Sequence, residues 1–439
     1  MKKYNYTDYT ETYGRIMQFN KNKQEPIHRW YPFVEGYSKE FIQSIINENK
    51  NEGRTIKCCL EPFSGSGTTA LELQSLGIKC YSFEVNPLMY LIGKVKLETD
   101  YDYDRAQYWF NDIITTRSQL NNSDLDSVFP TLYESENRKK WNYDKAVGQA
   151  VKKIDIAIQT ITEPIYKDLF TIALAAILLD VSNLYRNGKC LSYKKNWEAI
   201  EISEADVFSK FDEKVTKELF ADIKNSAKVR SAVLQKNKAF LFNEDSRFAI
   251  NDKVKNESVD LVITSPPYLN SRDYTDTYML ELKTLGFTKD NAQIQNLREQ
   301  TFRSHVQVHW DDETMLENAL LKKTLKALNK AADGLEVWNN SIIDMVRLYF
   351  VDMEKIFDEL YVKMKIGGKV YFNVSNSAYF NIEIKTLDIC ASIAEQVGFS
   401  VQEIRKARYL KTSPQQKEHV KKLLEGVIVL EKKEKHETK

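Results

Sequence analysis

Two short stretches concentrate the groups that can hold or turn over a ligand: Glu61-Pro62-Phe63-Ser64-Gly65-Ser66-Gly67-Thr68-Thr69 and Thr264-Ser265-Pro266-Pro267-Tyr268. In the second, two adjacent prolines fix the backbone and remove two N–H donors. What remains is the Ser265 hydroxyl, the Pro266 carbonyl and the Tyr268 ring. Acceptors of that kind can hold the N–H groups of a planar, amino-bearing ring while an aromatic side chain stacks on its face. In the first stretch, Gly65 and Gly67 allow a tight turn and a close approach of backbone to ligand. A helix beginning at Thr68 would aim its unpaired N–H groups at the same place.

The flanking segments supply the elements that must position these loops. Ile56-Lys57-Cys58-Cys59-Leu60 is short and apolar enough for a buried strand, and Thr68 to Leu76 has the apolar spacing of a helix. Lys79 to Phe83 reads as the next strand and ends at Glu84, where dinucleotide-binding folds grip ribose hydroxyls, so Glu84 is the candidate ribose ligand. Taken alone, Gly65-Ser66-Gly67-Thr68-Thr69-Ala70 also fits the GxGxxA dinucleotide fingerprint, which leaves a dehydrogenase open. The second loop narrows this. Val259 to Ile263 is a buried-strand pattern that delivers Ser-Pro-Pro-Tyr at its carboxyl end, where open α/β sheets bind ligands. Hydride transfer needs no such loop, and no constellation for a hydride acceptor with its acid/base accompanies it.

With both loops in view, the sequence resembles the DNA amino-methyltransferases, which use S-adenosylmethionine to methylate the exocyclic N4 of cytosine or N6 of adenine. Their signatures, D/E-P-F-x-G-S-G-T-T and D/N/S-P-P-Y/F/W, are both matched. The resemblance implies an α/β, Rossmann-like class I methyltransferase fold with a mostly parallel seven-stranded sheet and a largely helical insertion. It implies that Ser265 and the Pro266 carbonyl bond the target amino group, that Pro267 completes the rigid loop, and that Tyr268 stacks on the flipped base. The cofactor would lie against Glu61, Pro62, Phe63, Ser64, Gly65, Gly67 and Thr68, with Glu84 on its ribose. Serine ahead of the two prolines tilts the target toward cytosine N4. Asp245, within Leu241 to Arg247, is either the acid that bonds the cofactor adenine or a cap on the next helix. His28-Arg29-Trp30-Tyr31-Pro32-Phe33, followed by Ser38 and an amphipathic helix, is similar to the family segment that closes over the methionine end of the cofactor. That makes Trp30 and Pro32 cofactor candidates, with a packed aromatic turn as the alternative. Lys365 to Val374 reads as a turn and a strand, and Gly398 to Leu410 with Glu425 to Leu430 as a closing antiparallel hairpin.

On this reading residues 1–100 form the first part of the methyltransferase domain, 101–235 a mostly helical insertion and candidate target-recognition region, 236–432 the second part, and 433–439 a charged tail. Within the insertion, Ile154 to Ile161 and Leu169 to Leu184 have helical spacing, and Arg138 to Trp141 and Arg186 to Trp197 interleave cations with aromatic groups. Residues 271–340, directly after the catalytic loop, are a second candidate DNA-contacting insertion. The named candidates for DNA contact are Arg186, Lys189, Lys194, Arg272 and Arg303. Over 439 residues the net charge is +1, which argues against a broadly basic coat and confines nucleic-acid contact to local clusters.

The five cysteines lack metal spacing and read as reduced, buried thiols, while His305 and His309 read as polar surface residues, so no metal is assigned. The longest apolar run, around Leu169 to Leu179, is too short to span a membrane, and a cytoplasmic protein is expected. The expected chemistry is direct methyl transfer without a covalent enzyme intermediate. Methylation at cytosine C5 would need a Pro-Cys nucleophile, and no cysteine follows a proline. The expected partner is double-stranded DNA, with a cognate restriction endonuclease acting separately. An RNA or protein amide methyltransferase is the competing enzyme reading, and a noncatalytic DNA-specificity subunit would predict no cofactor binding.

Overall fold

The computed structural model describes residues 3–187, 190–225, 238–270, 272–333, 341–413, 416 and 419–434. Twelve strands occur among them: β1 (Tyr6–Asp8), β2 (Cys58–Glu61), β3 (Lys79–Phe83), β4 (Leu184–Arg186), β5 (Leu191–Tyr193), β6 (Ala239–Phe242), β7 (Val259–Thr264), β8 (Met364–Ser375), β9 (Ser377–Tyr379), β10 (Ile382–Ile384), β11 (Phe399–Lys411) and β12 (Lys422–Lys432). Eight of them form one sheet in the order β1-β11-β12-β8-β7-β2-β3-β6. All run in one direction except β12, which pairs antiparallel with both β8 and β11. The expected seven strands are all present, and an eighth, β1, adds to the edge by pairing parallel with β11 from Tyr6↔Ile404 to Asp8↔Lys406. Three residues reading Tyr-Thr-Asp carry no apolar run, so tertiary pairing alone makes this strand.

The central strands are rich in apolar residues because both faces of the sheet are covered. Their side chains divide with the two-residue period of a strand. Leu60, Val262 and Phe372 face the helices Ile342–Lys363 and Thr386–Val397. Cys59, Leu261, Ile263 and Tyr371 face the helix Lys39–Asn51, with Phe41 and Ile45 packed on them. The turn expected at the start of the Lys365 to Val374 segment lies inside β8. Val259 pairs with Met364 but Leu261 pairs with Lys369, so residues 365–368 bulge out of register around Gly367, whose φ is +78°.

Between β3 and β6 the chain builds helices Tyr103–Gln119, Lys145–Gln159, Pro164–Val181 and Glu204–Glu213 around a third core. The helix expected over Leu169 to Leu184 starts at Pro164 and stops at Val181, and Leu184 instead opens the β4–β5 hairpin. Asp222, 3% exposed, ties this insertion to the N-terminal segment by accepting from the Ile27 N–H at 2.9 Å, from Arg29 Nε at 3.1 Å and from Trp30 Nε1 at 2.9 Å. Four cysteines are buried and unpaired, whereas Cys190 is exposed, against the expectation of five buried thiols. Among the described residues no helix is long and apolar enough to cross a membrane.

Candidate active site

β2 and β7 lie side by side where the strand order reverses, the place at which open α/β sheets leave a crevice at their carboxyl edge. A cavity of about 440 Å³ occupies that edge. Its wall takes Pro62, Phe63 and Gly65 from the loop after β2, Glu84 from the end of β3, Asp245 from after β6 and Ser265 through Tyr268 from after β7. Two loops some two hundred residues apart thus meet in one space.

In the loop after β2, Gly65 has φ +52°, and a Cβ there would meet the Phe33 ring at 3.1 Å. Its N–H donates to Glu84 Oε2 at 2.8 Å, and the Asn86 N–H donates to Glu84 Oε1 at 2.8 Å. These bonds aim the Glu84 carboxyl into the cavity, and burial raises its pKa to about 7. Asp245 caps the helix Ser246–Lys253 by accepting from the Arg247 N–H at 3.0 Å, and its carboxylate also pairs with the Arg247 guanidinium at 2.6 Å. It lines the cavity while doing so, so the capping and ligand-facing readings describe one placement.

Other members of the first loop hold it from behind. Gly67, at φ +82°, begins the helix Thr68–Ser75, and a Cβ on it would sit 3.0 Å from the Gly93 Cα. Ser64 donates its N–H to the Phe83 carbonyl at 2.9 Å, and Thr68 is buried in the first helical turn. Glu61 is 1% exposed and turned into the core. Trp30 is fully buried with its indole N–H on Asp222, and neither it nor the half-buried Pro32 is on the cavity wall.

In the loop after β7, the Tyr268 hydroxyl donates to Glu425 Oε1 at 2.8 Å and accepts from Asn373 Nδ2 at 2.7 Å. Burial, then the charge of Glu425, drives the phenol pKa well above its ordinary value, so the proton stays on the hydroxyl. Ser265 Oγ lies 3.3 Å from Asn373 Nδ2. Tyr349 fixes the loop from outside by donating to the Pro267 carbonyl at 3.0 Å. Neither Asn373 nor Glu425 stood out in the sequence, where each is a polar residue beside the apolar run of β8 or β12. An Asn and a Glu interrupting otherwise apolar strand runs were the available signal.

The cations named for DNA contact divide differently from expectation. Arg186 is ion-paired with Glu281, 1% exposed, and donates to the Thr277 carbonyl at 3.0 Å. Lys194 caps the end of the helix Pro164–Val181, bonding the Asp180 and Ser182 carbonyls at 3.0 and 2.5 Å. Arg303 is bound to the fully buried Asp352 at 2.6 and 3.0 Å. A charge buried without a partner is costly, and these arginines are the partners that Glu281 and Asp352 require. Arg272 is the candidate that lines the cavity, where it pairs with Glu35. Lys189 lies outside the described residues. His305, expected at the surface, is 1% exposed, lines the cavity and bonds Thr301 Oγ1 at 2.8 Å.

A sheet in this order, with a Gly-rich turn after β2, a carboxylate after β3 and a Pro-Pro loop after β7, defines a Rossmann-like methyltransferase fold. The chain is homologous over most of its length with type II methyltransferases. It is 28% identical over 438 residues to the type II methyltransferase M.BsoBI of Geobacillus stearothermophilus, an alignment covering 89% of this chain and 82% of that one. To M.AvaI of Nostoc sp. it is 26% identical over 426 residues, with the same coverage. To M.MvaI of Kocuria varians it is 25% identical over 393 residues, covering 84% and 80%. No protein-family model matches the sequence.

Proposed function

We propose that the protein is a DNA amino-methyltransferase of the restriction–modification type, acting on double-stranded DNA with S-adenosylmethionine as methyl donor and cytosine N4 as acceptor. One observation carries the reading: the Gly-rich loop with Glu84 and the Ser-Pro-Pro-Tyr loop line a single cavity of about 440 Å³. The residues present fit the cofactor. Gly65 leaves room that a Cβ would close, and the Glu84 carboxyl is presented to the cavity by two backbone N–H groups, with lone pairs left for ribose hydroxyls. When bound, the cofactor supplies a methyl group activated by its positively charged sulfur.

The chain's own residues do the rest. An exocyclic amine is a weak nucleophile because its lone pair is delocalised into the ring. Ser265 Oγ and the Pro266 carbonyl accept its two hydrogens and turn the nitrogen toward a tetrahedral shape, which returns electron density for attack. Among the described residues no donor occupies the Pro266 carbonyl. Tyr268 is held by its hydroxyl to Glu425 and Asn373, which leaves a ring fixed in place to stack on a base drawn out of the duplex. Holding both reactants in register supplies roughly 7–11 kcal/mol in favourable cases. Arg272, on the cavity wall and ion-paired with Glu35, is the candidate for holding DNA beside the flipped base.

The test is to incubate the protein with unmodified genomic DNA and S-adenosylmethionine, digest to nucleosides and analyse by mass spectrometry. N4-methylcytosine is expected. N6-methyladenine would overturn the base choice alone, and the absence of any methylated deoxynucleoside would overturn the DNA reading.

A further inference from the structure

Beyond Ser265 the cavity wall carries polar groups that holding an amino group does not use. Arg408, on β11, donates its Nε to Glu425 Oε2 at 2.5 Å. Glu425 Oε1 accepts from Tyr268 at 2.8 Å and from Asn373 Nδ2 at 3.3 Å, and Asn373 Nδ2 lies 3.3 Å from Ser265 Oγ. A polar path therefore runs along the wall from the Ser265 hydroxyl to the guanidinium, and every member of it lines the cavity. Glu425 is 1% exposed, so Arg408 is oriented from behind by a buried carboxylate. Among the described residues neither terminal NH₂ group of Arg408 has a hydrogen-bond partner. Asn373 Oδ1 is also buried without a donor. Buried polar groups are normally paired, so Asn373 Oδ1 is incomplete until a ligand joins it, while the Arg408 side chain, 24% exposed, keeps its terminal NH₂ groups open to a ligand in the cavity.

We infer that Arg408 reads the pyrimidine edge of the flipped base and so selects cytosine; the inference rests on the DNA amino-methyltransferase reading and deepens it. Cytosine presents three groups along one edge: the N4 amino group, then N3 and O2, two acceptors side by side. With N4 held at Ser265 and Pro266, N3 and O2 point along the wall toward Arg408. The terminal NH₂ pair of a guanidinium is a planar fork that fits two adjacent acceptors, as it fits a carboxylate. Adenine held by N6 would present N1 followed by a C–H, leaving one donor desolvated and unpaired. Sites built to bond a polar group reject analogues that lack it for this reason.

The experiment uses the full-length protein and duplexes carrying its recognition sequence, read from methylated genomic DNA, with cytosine, adenine or a 2-aminopyridine C-nucleoside at the target position. The last keeps the amino group and the ring nitrogen but has no O2. For the unaltered protein, kcat/KM should fall roughly 10- to 100-fold from cytosine to the analogue, the value of one lost hydrogen bond to a charged group. Arg408→Lys and Arg408→Met should lose a similar factor on cytosine and little on the analogue or on adenine, so the cytosine preference collapses. Affinity for S-adenosylhomocysteine should stay unchanged. A role confined to propping Glu425 would instead lower all three substrates equally and would be reproduced by Glu425→Gln. An unchanged cytosine-to-analogue ratio in Arg408→Met, or equal rates of the unaltered protein on cytosine and the analogue, would overturn the inference. N6-methyladenine as the product would overturn it while leaving DNA methylation intact, and failure to methylate any DNA would overturn both.

Discussion

Removing the Glu61 carboxylate should damage both loops at once, although it does not touch the cavity. Its Oε1 accepts from the Phe63 N–H at 3.0 Å and the Thr264 hydroxyl at 2.5 Å, and its Oε2 from the Tyr37 and Thr69 hydroxyls at 2.8 and 2.9 Å. Phe63 and Thr69 belong to the Gly-rich loop and its helix, Thr264 directly precedes Ser265, and Tyr37 belongs to the N-terminal segment. In Glu61→Ala, Tyr37 and Thr69 can pair with each other, being 2.7 Å apart. The Phe63 N–H and the Thr264 hydroxyl are left buried and unsatisfied. At about 1–3 kcal/mol for each stranded group, and with the void left by the side chain added, the loss is about 4 kcal/mol.

Glu61→Gln should cost only about 1 kcal/mol, because its carbonyl oxygen can keep Phe63 and Thr264 while its NH₂ faces hydroxyls that can turn to accept. Burial already raises the Glu61 pKa to about 7, against an ordinary 4.5, so the protonated form, which also donates, is well populated at neutral pH. A folded-state pKa raised in this way means that the native state binds more protons between those two values. The contribution of Glu61 to stability is therefore largest below the unfolded pKa and declines as pH rises to about 7. The gap between the unaltered protein and Glu61→Gln should be wider at pH 5.5 than at pH 8. Urea unfolding followed by tryptophan fluorescence, with titration of S-adenosylhomocysteine on each variant, reads all of this. A Glu61→Ala loss below about 1 kcal/mol, or a Gln variant as damaged as the Ala one, would refute the reasoning.

Tyr268→Phe keeps the ring and gives up the bonds to Glu425 and Asn373, so methylation should persist within about tenfold, whereas Tyr268→Ala should lose roughly 10- to 100-fold through lost stacking; full activity of the Ala variant in a timed nucleoside assay would remove the stacking role. Burial raises the Glu84 pKa to about 7 and its ionised form is the better acceptor, so S-adenosylhomocysteine should bind more weakly as pH falls from 8 to 6. Calorimetry on Glu84→Gln should show that dependence reduced, and equal slopes would clear Glu84 of it. Arg303→Met strands Asp352, partly offset by the 2.6 Å bond from Arg247 Nη1, and should cost about 3 kcal/mol of stability without altering the salt dependence of DNA binding. A shallower salt slope in a fully stable variant would return Arg303 to the DNA. Gly67→Val forces a β-branched residue into φ +82° with its Cβ 3.0 Å from the Gly93 Cα, and should lower cofactor affinity at least tenfold in the same calorimetric titration, an unchanged Kd being the contrary result.

Features written in consecutive residues were legible in the sequence: β2 with its Gly-rich turn and helix, β7 with its Pro-Pro loop, and the closing hairpin of β11 and β12. Each is specified by local periodicity or by residues that restrict the backbone. What was not legible depends on pairing across the chain. Arg303 reads as a free cation until Asp352, 49 residues on, is seen to need it, and Glu425 reads as one polar residue in an apolar strand until Tyr268, 157 residues away, turns its hydroxyl toward it. The β4–β5 hairpin was missed for a related reason. Leu184 continues the apolar spacing of the preceding helix, but the chain has left the helix after Val181.

The same long-range pairing bears on how the insertion can act. Asp222 binds it to Ile27, Arg29 and Trp30, and Arg186 binds it to Glu281, which also accepts from the Tyr31 hydroxyl at 3.0 Å. Arg186 further lies 4.8 Å from the centre of the Tyr278 ring, and Tyr278 lines the cavity beside the Glu35–Arg272 pair. Residues from the insertion, the N-terminal segment and the stretch after the Ser-Pro-Pro-Tyr loop therefore share one largely buried set of charges. Breaking a buried pair by removing one partner leaves an uncompensated charge, at about 3–5 kcal/mol. A rotation of the insertion large enough to break the Arg186–Glu281 pair meets that barrier. That cost favours a small shift transmitted through Arg186 and Tyr278 over the swing of a loosely tethered module.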